Sequence, residues 1–352
     1  LLLTCLGHMK AGMGAEFVPE TPEICFDFAQ HFNYRITIGG TAARAATAIS
    51  KLGYESALSM VCYNHYMKEQ LPKKIHYYSN VGEDHEVTYP HVVLSYPANA
   101  HIQANDIDFV TPRENRVMFS RDIDSLQMVI SQGFAPMITE TEVMLISCFS
   151  EVLEKDILEE RMRQVNELLT ALPENAYVLL EDGCYINKDF RIYVHEALRE
   201  KLHILSMNED EMQEYIGRRI DIMDPEAVLE AVKYMYDKIG IPVLIVHSAA
   251  WAIAYGEGAA KMGHVLEGGV TMAATRFWKG DVFGPEEYEA TANLTPRQDS
   301  IVFGQKLEEL SDREICCVPS KDMSFVEHQV VVGLGDSFAG GILPELMLDK
   351  RG

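Results

Sequence analysis

Positive charge is scarce in this chain of 352 residues. Only 30 lysines and arginines stand against 53 aspartates and glutamates, which gives a formal net charge of −23. A surface of this charge repels nucleic acid and anionic membranes, so neither is expected as a partner. If the ligand is an anionic phosphate, the binding site must supply local positive charge against this field.

Long apolar runs and paired cysteine spacings are also missing. No stretch reaches the roughly 20 apolar residues that cross a bilayer, although 47% of the residues are hydrophobic and can form a substantial core. The seven cysteines are odd in number, and none belongs to a C-x-x-C motif. This usage argues against a disulfide framework or a zinc site and favours reduced thiols in a cytoplasmic protein.

Short apolar runs alternate with amphipathic stretches along most of the chain. The predicted strands are Leu1–Leu6, Ala57–Cys62, Val143–Cys148, Tyr177–Leu180, His203–Ser206 and Val243–His247. The predicted helices are Ala42–Leu52, Leu153–Leu172, Lys188–Leu202 and Pro225–Ile239. This alternation predicts right-handed βαβ units and a mostly parallel sheet covered by helices on both faces. Ligands of such sheets bind at the carboxyl ends of the strands.

Two regions, about 10–35 and 75–122, break this alternation. They contain Val87–Tyr96 and Arg116–Ser120, whose composition predicts antiparallel strands. We interpret them as a small β-sheet inserted into a larger domain, where it would act as a lid. The predicted division is therefore a large α/β domain of residues 1–9, 36–74 and 123–352, with a lid domain of residues 10–35 and 75–122.

An apolar run, Val330–Val332, leads into Gly333-Leu334-Gly335-Asp336. The pattern predicts a buried strand, a tight turn and the first turn of a helix. Unpaired N–H groups at a helix start attract an anion, and glycines let it approach the backbone. An aspartate beside that anion suits a base that takes the proton from a hydroxyl attacking a phosphoryl group. The alternative is an ordinary N-cap aspartate.

Two further segments place glycines or oxygen-bearing side chains at helix starts. Gly39 and Gly40 precede a predicted helix, where they would let a ligand touch the backbone; the alternative is an ordinary strand-to-helix turn. Asn208 and Glu211 follow a predicted strand and share the first turn of the next helix. Such oxygen ligands suit Mg²⁺, often through water. Asn with Glu three residues later is also the pattern of a capping box.

Charged and polar side chains in two other segments are candidate ligand contacts. Arg113 and Arg116, in the predicted lid, could supply positive charge for phosphate, or form a solvated turn paired with nearby acids. His247 and Ser248 end a predicted strand, where they could contact a nucleotide or only cap the strand. No G-x-x-x-x-G-K-[ST] motif is present, which excludes a Walker-type phosphate loop.

Taken together, these motifs resemble those of the ribokinase superfamily. Within it, the chain is most similar to the ADP-dependent glucokinase and phosphofructokinase family, and the resemblance spans most of the chain. The matching motifs, in chain order, are Gly39-Gly40, Pro112–Arg116, the N-x-x-E of Asn208–Glu211, Val246-His247-Ser248 and the G-x-G-D of Gly333–Asp336.

This resemblance implies a fold, an activity and a set of roles. The fold would be a ribokinase-like α/β domain, with a central mostly parallel sheet flanked by helices and a small inserted β-sheet lid. The activity would be Mg²⁺-dependent transfer of a phosphoryl group from ADP to a hydroxyl of a sugar or sugar phosphate. The implied roles are the base for Asp336, the anion hole for Gly333, Leu334 and Gly335, Mg²⁺ binding through water for Glu211 and Asn208, acceptor contacts for Gly39, Gly40, Arg113 and Arg116, and nucleotide contacts for His247 and Ser248.

Two departures from the family pattern leave other functions open. Family members usually carry an aspartate after the first strand that grips sugar hydroxyls, whereas this chain has no acid before Glu16. Ser337–Gly341, directly after Asp336, is closer to ATP-using relatives. The alternatives are an ATP-dependent ribokinase-type sugar kinase, or a homologue that binds a nucleotide or sugar without transferring phosphate. An NAD-type dehydrogenase is disfavoured because no G-x-G-x-x-G follows the first predicted strand.

Overall fold

The computed structural model describes residues 1–62, 64–80, 89–327 and 329–351. Short 3₁₀ segments in these residues lie at Gln132–Glu140, Phe149–Glu151 and Ala259–Lys261. The helices and strands are, in chain order, α1 (Leu2–Ala11), β1 (Ala15–Phe17), α2 (Glu23–Ala29), α3 (Thr41–Lys51), β2 (Ser56–Met60), α4 (His65–Gln70), β3 (Ile75–Ser79), β4 (Val92–Tyr96), β5 (His101–Ala104), β6 (Ile107–Val110), β7 (Asn115–Phe119), α5 (Ile123–Gln127), β8 (Val143–Ile146), α6 (Lys155–Thr170), β9 (Tyr177–Glu181), α7 (Lys188–Leu198), β10 (Ile204–Asn208), α8 (Glu209–Ile216), α9 (Pro225–Ile239), β11 (Val243–His247), β12 (Trp251–Gly256), α10 (Gly263–Lys279), α11 (Pro285–Ala292), α12 (Gln298–Leu310), β13 (Ile315–Pro319) and α13 (Leu334–Arg351).

The largest sheet in the described residues has six strands in the order β13-β12-β11-β10-β9-β8. Strands β8 to β11 are parallel, whereas β12 and β13 are antiparallel to their neighbours. Side chains alternate between two cores along each strand. Leu205 and Val246 belong to the core on one face, and Ile204 and Ile245 belong to the core on the other. Burial on both faces explains why these strands appear in the sequence as continuous apolar runs.

Helices cover both faces of this sheet. Helices α6, α7, α8, α9 and α12 pack on one face, and α10 and α13 pack on the other. Glycines let α10 and α13 approach closely, since a Cβ atom at Gly341 would lie 2.3 Å from Gly268 O. This architecture confirms the predicted α/β fold, with a mostly parallel sheet between helices. None of the helices in the described residues is long and apolar enough to cross a membrane.

Smaller sheets contain the strands of the N-terminal third. Strand β7 lies between β1, to which it is parallel, and β4, to which it is antiparallel. Strands β5 and β6 form an antiparallel hairpin, and β2 and β3 form a parallel pair. The strands predicted within Val87–Tyr96 and Arg116–Ser120 are present as β4 and β7, with residues 87 and 88 outside the described part of the chain.

The division into a large domain and a lid remains a prediction. Strand β3 lies in the range predicted for the lid, yet it pairs with β2, which lies in the range predicted for the large domain. Main-chain hydrogen bonds therefore cross the predicted boundary at residue 75.

The prediction of a strand at Leu1–Leu6 is wrong. Helix α1 begins at Leu2, and it buries Cys5 and Met9 while Leu2 and Leu3 are exposed. Leucine is a good helix former and the run has no β-branched residue except Thr4, so local propensity favours the helix.

The prediction of a strand at Val330–Val332 is also wrong. Among the described residues, the six-stranded sheet has β13 and β8 as its edges, and residues 330–332 are not one of its strands. Residues 330–332 instead contact the end of α10: Val330 N donates to Phe277 O, and Arg276 Nε donates to Val332 O. These bonds satisfy backbone groups that a sheet would otherwise pair.

Candidate active site

A cleft lies at the carboxyl ends of the parallel strands, and the sheet of β1, β4 and β7 also lines it. Its volume of about 2920 Å³ exceeds the ~300–1,000 Å³ of a typical small-molecule pocket. The cleft therefore has room for two ligands. All the residues predicted for the site line it, namely Gly39, Gly40, Arg113, Arg116, Asn208, Glu211, His247, Ser248, Gly333, Leu334, Gly335 and Asp336.

The G-x-G-D segment forms a left-handed turn followed by the first turn of α13. Gly333 has a φ of +76°, a conformation that side chains with a Cβ rarely adopt. Its carbonyl accepts hydrogen bonds from Ser337 N at 3.1 Å and from Ser337 Oγ at 2.9 Å. Gly333 is thus the residue just before the helix. The N–H groups of Leu334 and Gly335 lie in the first turn, where no carbonyl of the same helix can accept a hydrogen bond from them. This arrangement suits the predicted anion hole.

Asp336 lies in the first turn of α13 but is bonded to a different helix. Its Oδ1 accepts a hydrogen bond from Thr41 Oγ1 at 2.8 Å, and its Oδ2 lies 3.4 Å from Arg44 Nε. The side chain is 23% exposed and lines the cleft. Asp336 is therefore held by α3 with its carboxylate accessible to a ligand.

The start of α3 is the Gly39-Gly40 segment. Gly40 has a φ of +82° and directly precedes the first helical residue, so the backbone conformation favours glycine there. A Cβ atom at Gly39 would meet no described atom within 4 Å. The backbone at Gly39 is thus open to the cleft, as expected for a position that a ligand approaches closely.

Asn208 and Glu211 form the capping box that was the alternative interpretation of their spacing. Asn208 Oδ1 accepts hydrogen bonds from Asp210 N and Glu211 N, and Glu211 Oε2 accepts one from Asn208 N. Burial and the nearby carboxylates of Asp182 and Glu181 raise the pKa of Glu211 well above its ordinary value. Two carboxylates close to a third are costly unless a cation accompanies them.

His247 and Ser248 are both engaged within the protein. His247 Nε2 lies 3.0 Å from Glu181 Oε1, and its ring stacks on Phe338 with centroids 4.4 Å apart. Ser248 Oγ accepts hydrogen bonds from the amides of Ala250 and Trp251 in the turn between β11 and β12. The predicted nucleotide contacts of these two residues stay a prediction.

The two predicted lid arginines differ in their contacts. Arg113 Nε donates to Gly12 O at 2.6 Å, which ties it to the end of α1. Arg116 lies near Glu16 of β1. Burial raises the pKa of Glu16 above its ordinary value, and the charge of Arg116 offsets part of that increase. The charge of Asp336 also acts on Glu16. Both Glu16 and Arg116 line the cleft, so the sheet of β1, β4 and β7 presents a carboxyl group and a guanidinium to it.

The pattern of the ADP-specific Phosphofructokinase/Glucokinase conserved region matches residues 1–341. The chain belongs to this family. Membership confirms both the predicted family and the predicted enzyme class, a phosphotransferase with an alcohol group as acceptor. Among curated protein sequences, none matches the chain.

Solved structures related to this family share the fold. A phosphofructokinase from Pyrococcus horikoshii OT3 with AMP has a TM-score of 0.73 at 17% identity, over 99% of this chain and 87% of that one. An ADP-dependent kinase in complex with fructose-6-phosphate and ADPβS has a TM-score of 0.80 at 16% identity, over 98% and 87%. The last common ancestor of ADP-dependent phosphofructokinases from Methanosarcinales has a TM-score of 0.72 at 16% identity, over 97% and 83%.

In this member of the ADP-specific phosphofructokinase/glucokinase family, the cleft contains two acids, Glu181 and Asp182, that no sequence motif indicated. Glu181 ends β9 and Asp182 follows it, so both lie at the carboxyl end of a parallel strand. Glu181 Oε2 is buried without a hydrogen-bond partner among the described residues. The buried Asp182 carboxylate lies 3.1 Å from Arg191 Nε without hydrogen-bond geometry. Their place directly after the predicted strand Tyr177–Leu180 was the signal that could have identified them.

Thr41 and Arg44, which contact Asp336, were also missed. Thr41 directly follows Gly39-Gly40, and Arg44 lies three residues further along α3. The available signal was this spacing, which puts both side chains on one face of a helix that begins at the glycine pair predicted to contact a ligand. In the structure that face is turned toward α13, and the local sequence pattern gives no sign of this long-range contact.

Proposed function

We propose that this protein is a Mg²⁺-dependent kinase that transfers a phosphoryl group from ADP to a hydroxyl of a sugar or sugar phosphate, in a cytoplasmic location. The observation that carries the proposal is the Asp336 carboxylate, held by α3 beside the first turn of α13 and open to the cleft. Family membership and the size of the cleft, which can take a donor and an acceptor together, support it.

The proposed chemistry is in-line displacement at the terminal phosphorus of ADP. The acceptor hydroxyl oxygen forms the new P–O bond, the bond from that phosphorus to the bridging oxygen breaks, and AMP leaves. Asp336 takes the hydroxyl proton. The amides at the Gly333 turn would stabilise the charge on the migrating phosphoryl group, and catalysis would otherwise depend on positioning.

The acidic side of the cleft fits the proposed Mg²⁺. Glu211 lies among the carboxylates of Glu181 and Asp182, and Glu181 Oε2 is a buried oxygen without a partner among the described residues. Within those residues, no group of three or more His, Cys, Asp or Glu side chains is arranged to hold a metal directly. Binding through water by Glu211 and Asn208 is therefore proposed. When bound, Mg²⁺ supplies positive charge that neutralises the phosphates of the donor.

The acceptor is proposed to bind between the start of α3 and the lid sheet. Gly39 and Gly40 offer open backbone there, and Arg116 and Glu16 face the same space. A carboxylate accepts hydrogen bonds from sugar hydroxyls, so Glu16 can do what the missing aspartate does in relatives. An arginine suits the phosphate of a sugar phosphate. The fructose-6-phosphate of one related structure makes sugar phosphates the first acceptors to try.

The test is a grid of donors and acceptors with the purified protein and Mg²⁺. ADP and ATP are each combined with glucose and fructose-6-phosphate, and the released AMP or ADP is measured. Turnover with ADP supports the proposal. Turnover with ATP alone would favour the ATP-dependent alternative. Calorimetric binding of ADP without turnover across a wider sugar panel would favour the non-transferring homologue.

A further inference from the structure

One helix face contacts both oxygens of the Asp336 carboxylate. Thr41 Oγ1 donates to Oδ1 at 2.8 Å, and Arg44 Nε lies 3.4 Å from Oδ2. Thr41 and Arg44 are three residues apart, so α3 presents both groups to α13 from the same side. The hydroxyl fixes one oxygen by a short bond, and the longer contact leaves Oδ2 able to accept a proton.

The Arg44 side chain is itself held in place. Nη2 donates to Thr37 Oγ1 at 3.1 Å, and only 11% of the side chain is exposed. The side chain also lies against the backbone of Gly333, where a Cβ atom would be 2.9 Å from Arg44 Cδ and Nη1. Glycine at position 333 therefore serves two purposes, since it allows the left-handed turn and makes room for the arginine. An arginine that is already ordered can hold its partner with little further loss of entropy.

A second buried guanidinium lies behind the same turn. Arg276, from α10, donates to Val332 O at 2.9 Å and forms an ion pair with Asp281. Burial and the neighbouring charge of Arg276 lower the pKa of Arg44. Two such groups beside one glycine turn favour an anion at that turn. They place two positive charges at the turn of a chain of net charge −23, where Asp336 and Asp281 offset part of that charge.

We propose that Arg44 is a positioning residue for phosphoryl transfer: it holds the Asp336 carboxylate toward the cleft and places positive charge at the turn that receives the migrating group. The inference rests on the proposed kinase function. It assigns to α3 a part of the positive charge that the sequence suggested for the lid arginines Arg113 and Arg116.

The test compares Arg44→Ala and Arg44→Lys with wild type in steady-state kinetics, using the donor and acceptor that give turnover. For Arg44→Ala we expect kcat to fall about 100-fold, the scale of a small misplacement of a catalytic group. The KM for the acceptor should stay within about threefold, because the interaction is made with the base and the transition state. Arg44→Lys should be intermediate, and added guanidinium ion should restore part of the kcat of Arg44→Ala.

The matched control is Arg218→Ala, which removes an exposed arginine paired with Glu230 outside the cleft and should leave kcat unchanged. Thermal unfolding of each variant shows whether it is folded. An unchanged kcat in Arg44→Ala, or a raised KM with unchanged kcat, would overturn the proposal.

A crystal structure of Arg44→Ala beside that of the wild type gives a test that does not need turnover. We expect the Asp336 side chain to leave its position beside Thr41 in the variant. An Asp336 carboxylate in the same place in both structures contradicts the positioning role. If the wild type shows no turnover with any donor, the proposed function fails, and this comparison still decides the role of Arg44.

Discussion

Asp336 differs from an ordinary capping aspartate in what its oxygens contact. An N-cap aspartate accepts hydrogen bonds from amides of its own helix. Here Gly333 takes the position before the helix, and Asp336, three residues later, bonds to Thr41 and pairs with Arg44 of α3. The capping interpretation of this aspartate is therefore not supported, whereas that of Asn208 and Glu211 is. A carboxylate held from outside its helix and facing a cleft is suited to act as a base.

Asp336→Asn should remove most turnover while leaving nucleotide binding nearly intact. The amide keeps the size of the side chain but cannot accept the hydroxyl proton, and loss of a general base costs about 100- to 10,000-fold in rate. Steady-state kinetics measure kcat, and calorimetry measures ADP binding. Full activity in this variant would end the assignment of Asp336 as the base.

His91 and Asp122 predict a pH-dependent contribution to stability. Their side chains lie 3.1 Å apart, where the chain enters β4 and leaves β7. Burial opposes the charge on His91, but the bond to Asp122 and the charge of Glu151 raise the pKa of His91 above its ordinary value. Burial likewise opposes the charge on Asp122, and the bond to His91 lowers its pKa.

His91→Gln should therefore destabilise the protein most below the ordinary histidine pKa of about 6.5 and above that of aspartate, about 3.9. The contribution of a raised histidine pKa is fully present below that ordinary value and is lost as pH rises through the folded value. The midpoint of thermal unfolding, measured from pH 5 to 9 for both proteins, should show a difference that shrinks as pH rises. A constant difference would mean that the ion pair does not contribute.

At the scale of elements, the placement of α13 determines where the glycine turn at Gly333 and the Asp336 side chain lie. The helix packs on the sheet through Phe338 and Ile342. It passes so close to α10 that a Cβ atom at Gly341 would lie 2.3 Å from Gly268 O. It also approaches α3, since a Cβ atom at Gly340 would lie 3.0 Å from Ala45 Cα. Glycines on two faces thus let α13 contact both neighbours, which brings Asp336 to Thr41.

Gly341→Ala should destabilise the protein by about 1–3 kcal/mol, the usual cost of overpacking a tight contact. The added methyl group would lie 2.3 Å from Gly268 O, so α10 and α13 must separate. Urea unfolding measures the change. Gly7→Ala is the matched control, because Gly7 also lies in a helix and its Cβ would meet no described atom within 4 Å. A Gly341→Ala protein as stable as this control would show that the contact has room to spare.

Local sequence patterns predict some elements of this fold and not others. Strand β11 and helix α9 begin and end where the sequence predicts, because continuous apolar character or amphipathic spacing defines each of them locally. Val330–Val332 has the composition of a strand, but its main chain bonds to the end of α10 instead of joining the sheet. The contacts of Thr41 and Arg44 with Asp336 join positions far apart in the chain, and no local periodicity contains that information.

At the scale of the whole molecule, the cleft is divided by charge. Carboxylates of Glu181, Asp182 and Glu211 lie on one side, at the ends of β9 and β10, whereas Arg44 and Arg276 lie behind the glycine turn. The two sides are neighbours: a Cβ atom at Gly335 would lie 3.4 Å from His247 Cε1, and His247 is the register partner of Asn208. A cation on the acidic side and phosphate at the turn would each be opposite in charge to the groups nearest them.

If the predicted division into a lid and a large domain holds, the sheet of β1, β4 and β7 should move toward the six-stranded sheet when both substrates bind. Water competes with the sugar hydroxyl as acceptor, so a kinase of this kind gains from closing the cleft over its substrates. Small-angle X-ray scattering of Asp336→Asn, which should bind without consuming substrate, measures this movement. We expect a smaller radius of gyration with ADP, Mg²⁺ and fructose-6-phosphate together than with no ligand, and little change with ADP and Mg²⁺ alone. An unchanged radius under saturation with both would show that β1, β4 and β7 are a fixed wall of the cleft, and that water must be excluded by the acceptor itself.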